Sequence, residues 1–255
     1  MAPKRMNTVA ADDGWELYDT TKDFSLSNNL ADQEPERLEA MKKKFMEEAI
    51  ENQVLPLDDR LLERLVPSVA GRPTLLGDRT SMDLYPYAWN MVEDSILNVK
   101  NVSNSVTAFV DVKGGEEDGV IFSQGGRFGG WSLYVEHNKP SYTYNYMGEL
   151  FTLTSNKPLP AGKSEIRFEL DYDGGGTGKG ADLRLKLNGE VVAEGRLEKT
   201  IASRFSIDEG ADVGLDRGSA VTVKTIGPRR YSAYGGQIDK VTLQIYPKDT
   251  DAAKG

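Results

Sequence analysis

From Thr74 onward, apolar and polar residues alternate in short runs, the period of strands with one face buried. Ser105–Val112, Ser164–Leu170, Leu183–Leu187 and Val241–Tyr246 all follow it. Clusters of Gly, Asn and Asp break the runs at Lys113–Gly115, Gly125–Gly126, Asp173–Gly180 and Asn188–Gly189. Asn188-Gly189, set between Leu187 and Glu190, predicts a two-residue hairpin, because a type I′ turn needs positive φ at both central positions. Many short strands joined by regular turns predict a mainly β fold. The expected architecture is an antiparallel, jelly-roll-like sandwich of the concanavalin or laminin-G kind, over residues 72–247.

Upstream the period changes. Trp15-Glu16-Leu17-Tyr18 alternates and predicts a short strand, followed by a turn-rich stretch from Asp19 to Asn29. Pro35 suits the first position of a helix, where its missing N–H is no loss. Leu38, Met41, Phe45 and Ala49 then recur at helical spacing, while Lys42, Lys43, Glu47 and Glu48 lie largely on the other side. That is one amphipathic helix, its stripe expected to pack into a core, and Pro56 ends any continuation. Asp58–Leu65 predicts a further helical turn, and Pro67, Gly71 and Pro73 mark a linker. Residues 15–71 thus form a strand, a helix and a linker, flanked by polar tails at 1–14 and 248–255 that are expected to be disordered.

Composition removes several function classes. Net charge is −9, from 31 basic and 40 acidic residues, against the basic surplus of a nucleic-acid binder. No apolar run approaches the ~20 residues that span a bilayer, so no membrane partner is expected. Lys4 and Arg5 precede no apolar h-region, so no signal peptide is expected, and cytoplasm and periplasm both stay open. The chain has no cysteine, which excludes disulfides, zinc-thiolate sites and Cys nucleophiles. Its one histidine, His137, precedes the turn Asn138-Lys139-Pro140 and is expected in an exposed loop.

Four constellations could carry chemistry. Gly174–Gly180 superficially suggests a phosphate loop, but Asp173 stands where the first Gly belongs, and Gly180 follows Lys179 in place of Ser or Thr. A flexible strand connection fits better. Asp58-Asp59 suits an acidic helix start better than a metal site. Asp208, Glu209, Asp212 and Asp216 form an acidic cluster, a weak candidate for structural calcium beside the ordinary reading of acidic turns. Tyr142, Tyr144 and Tyr146 share one strand face, and with Trp131 and Tyr134 they could make a sugar-stacking platform. Packing between strands is the favoured role for such aromatics.

Trp15-Glu16-Leu17-Tyr18-Asp19, Lys22-Asp23-Phe24-Ser25, Asn28-Asn29-Leu30-Ala31 and Pro35-Glu36-Arg37-Leu38, in that order, resemble the closing segment of bacterial arylsulfatases. Asn52–Arg60 resembles the N-V-L-P-L-D-D-R close of the family's long forms. Ser123–Tyr134, Tyr172–Gly176, Asp212–Asp216 and Gly235–Leu243 are similar to the extra C-terminal domain of those forms. The resemblance implies a non-catalytic accessory region that packs on a sulfatase domain and shapes access to its site. The family's C/S-x-P-x-R nucleophile motif is missing, so no catalytic residue carries over. Formylglycine and calcium, the family's cofactors, would belong to the absent catalytic domain, and this chain itself is expected to need none. The implied partner is that domain; without it, residues 15–53 are expected either to pair with a second copy of this chain or to be locally unfolded. Two other readings stay open: a carbohydrate-binding β-sandwich module, and half of a split sulfatase acting in trans. The missing nucleophile predicts that the purified chain turns over no aryl sulfate, with or without calcium. Release of phenol in proportion to added protein would contradict this.

Overall fold

Neighbouring strands bury alternate side chains between two sheets, and those sheets make the larger part of this molecule. The computed structural model describes residues 14–55, 75–114, 117–223 and 232–247. The expectations for both tails, for Asp58–Leu65 and for the Pro67–Pro73 linker lie outside them. The chain divides into two compact units, Met1–Arg64 and Leu65–Gly255.

Among the described residues the second unit contains eleven strands. They are β1 (Ser81–Leu84), β2 (Ser103–Val112), β3 (Gly119–Gly126), β4 (Gly129–Glu136), β5 (Lys139–Tyr146), β6 (Glu149–Thr154), β7 (Gly162–Tyr172), β8 (Ala181–Leu187), β9 (Glu190–Leu197), β10 (Ala211–Val213) and β11 (Gln237–Tyr246). Sheet A runs β1-β11-β2-β7-β8-β9 and sheet B runs β10-β3-β4-β5-β6. Every pairing is antiparallel, as the alternating pattern predicts. The Asn188-Gly189 hairpin joins β8 to β9 with φ of 50° and 83°, the expected type I′ signature. A second tight turn joins β4 to β5 without glycine: His137 and Asn138 sit at φ 51° and 57°. Their two N–H groups donate to the Asp118 carboxylate at 2.8 and 2.9 Å, which holds the turn against its backbone strain.

The core is aromatic where the sheets face each other. Tyr142 of β5 stacks on Phe168 of β7 with ring centroids 3.5 Å apart and planes within 7°. Trp131 lies against Tyr142 on one side and Phe122 on the other. The buried indole N–H of Trp131 donates to Gln124 Oε1 at 3.0 Å, so its burial leaves no donor unpaired. At the margin, a single 3-10 turn at Glu93–Ser95 carries a buried pair, Glu93 with Lys100. Glu93 also accepts the Phe205 N–H at 3.0 Å, and the ammonium of Lys100 lies over the Phe205 ring.

The two outer faces differ. On sheet A the outward residues of β7 and β8, Arg167, Glu169, Arg184 and Lys186, are charged and partly reach solvent, whereas Ser105 and Thr107 on the same face of β2 are buried. On sheet B, register places Asp212, Ser123, Ser132 and Thr143 in one outward row, yet all four are buried. The chain after β10 covers them: Ser123 Oγ donates to Leu215 O, Asn145 Nδ2 to Val221 O, and Tyr234 N to Gly214 O. The cover lies close, since a Cβ on Gly119 would stand 2.5 Å from the Ala233 carbonyl oxygen.

The first unit departs from expectation twice. The helix α1 forms over Pro35–Glu51 with Pro35 leading it, as its pattern predicts. Its stripe, however, is not a core: Met41 is 54% and Phe45 37% exposed, Ile50 is exposed too, and Ala49 alone is buried. Periodicity identifies an apolar face but not what lies against it. Trp15–Tyr18 is not a strand either. Leu17 N donates to Asn29 Oδ1 at 3.0 Å and Leu17 O accepts from Leu30 N at 2.7 Å, and among the described residues no strand pairs with it. Trp15 instead meets Phe45 edge-on at 5.5 Å.

These environments predict unequal penalties. Phe168→Ala should lower the stability of the sandwich by about 3–5 kcal/mol. Phe45→Ala should leave the main melting transition within about 0.5 kcal/mol of the parent. Comparable losses for the two variants in parallel melts would contradict this packing.

Candidate functional site

Two surfaces of the sandwich carry more chemistry than solubility requires. The first follows β1, where Tyr85-Pro86-Tyr87-Ala88-Trp89-Asn90 crosses to the edge strand β10. The loop is stitched there at four consecutive residues, Ala88 to Met91. Ala88 O accepts Val213 N at 3.0 Å, Met91 and Ala211 exchange both backbone bonds, and Asn90 N donates to Asp212 Oδ1 at 2.6 Å. Trp89 Nε1 donates to Val213 O at 3.0 Å, which satisfies the polar edge of its indole. Despite this anchoring the rings point outward: Tyr85 is 57%, Tyr87 81% and Trp89 42% exposed. Tyr87 and Trp89 meet edge to face, centroids 5.6 Å apart at 68°. Tyr87 sits at φ +71°, a conformation that costs a bulky residue about 1–3 kcal/mol and persists only where the surroundings impose it. The loop is therefore anchored from Ala88 to Met91, with the rings of Tyr85, Tyr87 and Trp89 facing water.

The second surface is a groove of about 410 Å³ across the outer face of sheet A. Arg167, Glu169 and Asp171 of β7 and Asp182 and Arg184 of β8 line it, with Tyr246 at the end of β11. Arg167 is fully engaged: Nε donates to Glu169 at 2.8 Å, and its terminal nitrogens donate to Thr107 Oγ1 at 3.0 Å and to the Tyr246 hydroxyl at 2.8 Å. Partial burial opposes ionisation of Glu169, but hydrogen bonds from Lys186 and Arg167 outweigh it and hold the carboxyl below its ordinary range. Arg184 lies 3.8 Å from Glu169 and 3.9 Å from Glu194, within ion-pair range of both but beyond hydrogen-bond reach.

The residues singled out from sequence fall elsewhere. Trp131, Tyr142 and Tyr144 are buried side chains of the core cluster. Burial raises the Tyr142 hydroxyl pKa well above its ordinary value. Tyr146 is half-buried, with the Lys199 ammonium 4.3 Å over its ring. Tyr134 faces outward on sheet B, buried, with its hydroxyl 3.0 Å from Thr143 Oγ1. His137 is exposed in its turn.

Asp212, Glu209 and Asp216 each accept backbone N–H groups, and Asp208 takes part through its own N–H. Asp212 accepts the N–H groups of Asn90 and Arg217, Glu209 those of Ser219, and the Asp208 N–H donates to Ser206 Oγ. Among the described residues no three carboxylates or histidines converge as metal ligands. Asp216 is buried and accepts Val221 N at 3.0 Å. Burial first, then the charges of Asp212 and Glu209, push its pKa up to about 7.

The ledge Tyr85–Trp89 escapes sequence reasoning because aromatics at 85, 87 and 89 imitate strand alternation. Pro86 in their midst is the one signal of a loop.

No family model and no curated protein matches the chain. Solved structures with similar layouts include the NanB sialidase of Streptococcus pneumoniae (12% identity, 68% of this chain, TM-score 0.44). They also include a Ruminococcus gnavus sialidase CBM40 bound to α2,6 sialyllactose (12%, 69% of this chain and 97% of that one, TM-score 0.39). Mouse laminin α1 domains LG4-5 match at 10% identity over 69% of this chain and 42% of theirs, TM-score 0.37. The matched region spans 28% of the NanB chain. These are likenesses of strand layout alone.

Asp216 yields a pH prediction. Its folded pKa lies above its unfolded value of about 3.8, so its contribution is fully present below pH 4 and is lost as pH rises through 7. Asp216→Asn keeps an acceptor for Val221 N–H and cannot ionise. The variant should match the parent near pH 4 and exceed it at pH 8, by up to about 4 kcal/mol. Urea titrations at the two pH values check this, and parallel profiles for the two proteins would contradict it.

Proposed function

We propose that the sandwich is a carbohydrate-binding module and that the Tyr85–Trp89 ledge is where a sugar stacks. The observation that carries this reading is the ledge's combination of exposure and rigidity. A pyranose presents flat C–H faces and a hydroxyl rim. An aromatic face buries the former, and nearby polar groups meet the latter. A ring already fixed in its bound position loses little freedom on binding. The strain at Tyr87 supports the same reading, since packing gives no reason to hold that ring in water. A protein partner would need roughly 800 Å² of matched surface, far more than three rings on one short loop supply.

A second reading rests on the other unit. The exposed stripe of α1, together with exposed Phe24 and Leu26, is apolar surface of the kind that another body covers. It supports the accessory role that the arylsulfatase resemblance implies, with the sulfatase domain as the covering body. The two readings are compatible: a sugar-binding module beside an enzyme acting on sulfated sugars.

Tyr87→Ala should weaken glycan binding about tenfold while leaving the melting temperature unchanged or higher. Tyr87→Asn should do the same and raise stability by up to about 1 kcal/mol, because Asn accepts positive φ more readily. A glycan panel read by quenching of Trp89 fluorescence checks both. A panel in which nothing perturbs the fluorescence, or in which Tyr87→Ala binds as tightly as the parent, would overturn the reading.

A further inference from the structure

We infer that the groove on the outer face of sheet A is a second binding site, separate from the ledge, that takes a sugar unit carrying one anionic group held by Arg184. It shares a ligand class with the proposed glycan binding but not its site. The groove's volume, about 410 Å³, falls inside the ~300–1,000 Å³ range of small-ligand sites.

The argument is one of charge accounting. Four cations stand in or beside the groove, among the carboxylates of Glu169, Asp171, Asp182 and Glu194; three of the cations are hydrogen-bonded, while Arg184 has only the longer ion pairs to Glu169 and Glu194 at 3.8 and 3.9 Å. Arg167 donates to Glu169, Thr107 and Tyr246. Lys186 pairs with Glu169 at 2.8 Å. Arg196 hydrogen-bonds Asp173 through two nitrogens and reaches Asp182 at 3.3 Å. Glu169 therefore already has two close counterions. Among the described residues, Arg184 makes no hydrogen bond, although its side chain is less than half exposed and carries five donors. A guanidinium in that state matches a planar carboxylate or a sulfate ester by paired N–H···O bonds.

The rest of the groove specifies what bears the anion. Tyr246 is fixed by its hydroxyl, which Arg167 and Ser105 both hold, so its partly exposed ring is a preset wall for a C–H face. Asp171, which accepts Ser103 Oγ at 3.1 Å, and Asp182 offer further acceptor oxygens to hydroxyl groups. The same two carboxylates repel a phosphate chain or a polyanion. One negative group on a hydroxylated, otherwise neutral scaffold satisfies both halves of the groove.

The test is calorimetric titration of the full chain with three matched oligosaccharides: one with a uronic acid, one with a single sulfate ester, one neutral. The parent, Arg184→Gln, Arg184→Lys and Tyr87→Ala are compared, with melting curves for each. At least one anionic sugar should bind more tightly than the neutral one, and weaken as salt is added. Arg184→Gln should lower that affinity about tenfold or more. Arg184→Lys, which keeps the charge but not the fork, should fall between and covers the case of a Gln variant that fails to fold. Preference for the uronate or for the sulfate names the anion. Tyr87→Ala should lower the part of the binding that the neutral sugar shares, at the ledge, and keep the salt-dependent preference for the anionic sugar, so the two sites are read separately. Equal binding of the neutral sugar, undiminished binding by both Arg184 variants, or no binding of any of the three by the parent would overturn the inference.

Discussion

The contact of Tyr142 on Phe168 is the interaction on which the two-sheet architecture depends. It joins an inner strand of sheet B to an inner strand of sheet A, and Trp131 and Phe122 extend it. Strand alternation then leaves no choice for the remaining side chains. Once the aromatics of β4, β5 and β7 point inward, Ser132, Thr143, Arg167 and Glu169 must point outward. The charged face of sheet A is thus a by-product of the core, and the groove is cut into it without any change to the packing beneath. A side chain there can vary without disturbing the stack, which is the ordinary condition for a binding surface on a rigid scaffold.

How legible this was follows from what each signal physically encodes. The runs in β2, β7, β8 and β11 read correctly because alternation is a direct image of one buried face. The Asn188-Gly189 turn read correctly because its dihedral demand falls on two residues that nothing else favours as strongly. Tyr142 and Tyr144 were assigned to one face by the same rule, and their burial follows from it. The misreadings share a cause. Met41 and Phe45 advertise a face but not its cover, and Trp15–Tyr18 advertises a strand but not its neighbour. Covers and neighbours are long-range facts, absent from any local window. The candidate site was hardest for the same reason. Arg184 is distinctive only because Arg167, Lys186 and Arg196 each hydrogen-bond a neighbouring acceptor while it makes no such bond among the described residues, and that depends on contacts across three strands.

The ledge and the groove illustrate two ways of presenting a side chain. Trp89 is held by its own indole N–H and by backbone bonds on either side, so position comes from the loop. Tyr246 is held by other side chains, so position comes from a charged network that salt and pH can loosen. A module with both would combine a stacking contact indifferent to ionic strength with a charged contact sensitive to it. Such a division suits a protein working on polysaccharides whose charge varies along the chain.

The covered face of sheet B has an implication of another kind. Ser123, Ser132 and Thr143 form a row of hydroxyls on a rigid floor, roofed by the segments around Leu215, Val221 and Ala233. Among the described residues, Ser132 Oγ is buried there without a hydrogen-bond partner. In evolutionary terms the floor of an additional recognition surface is already built, and what hides it is a loop. Loops change length far more readily than strands exchange side chains. A relative with a shorter cover would gain a new polar face in a single step, with its core untouched.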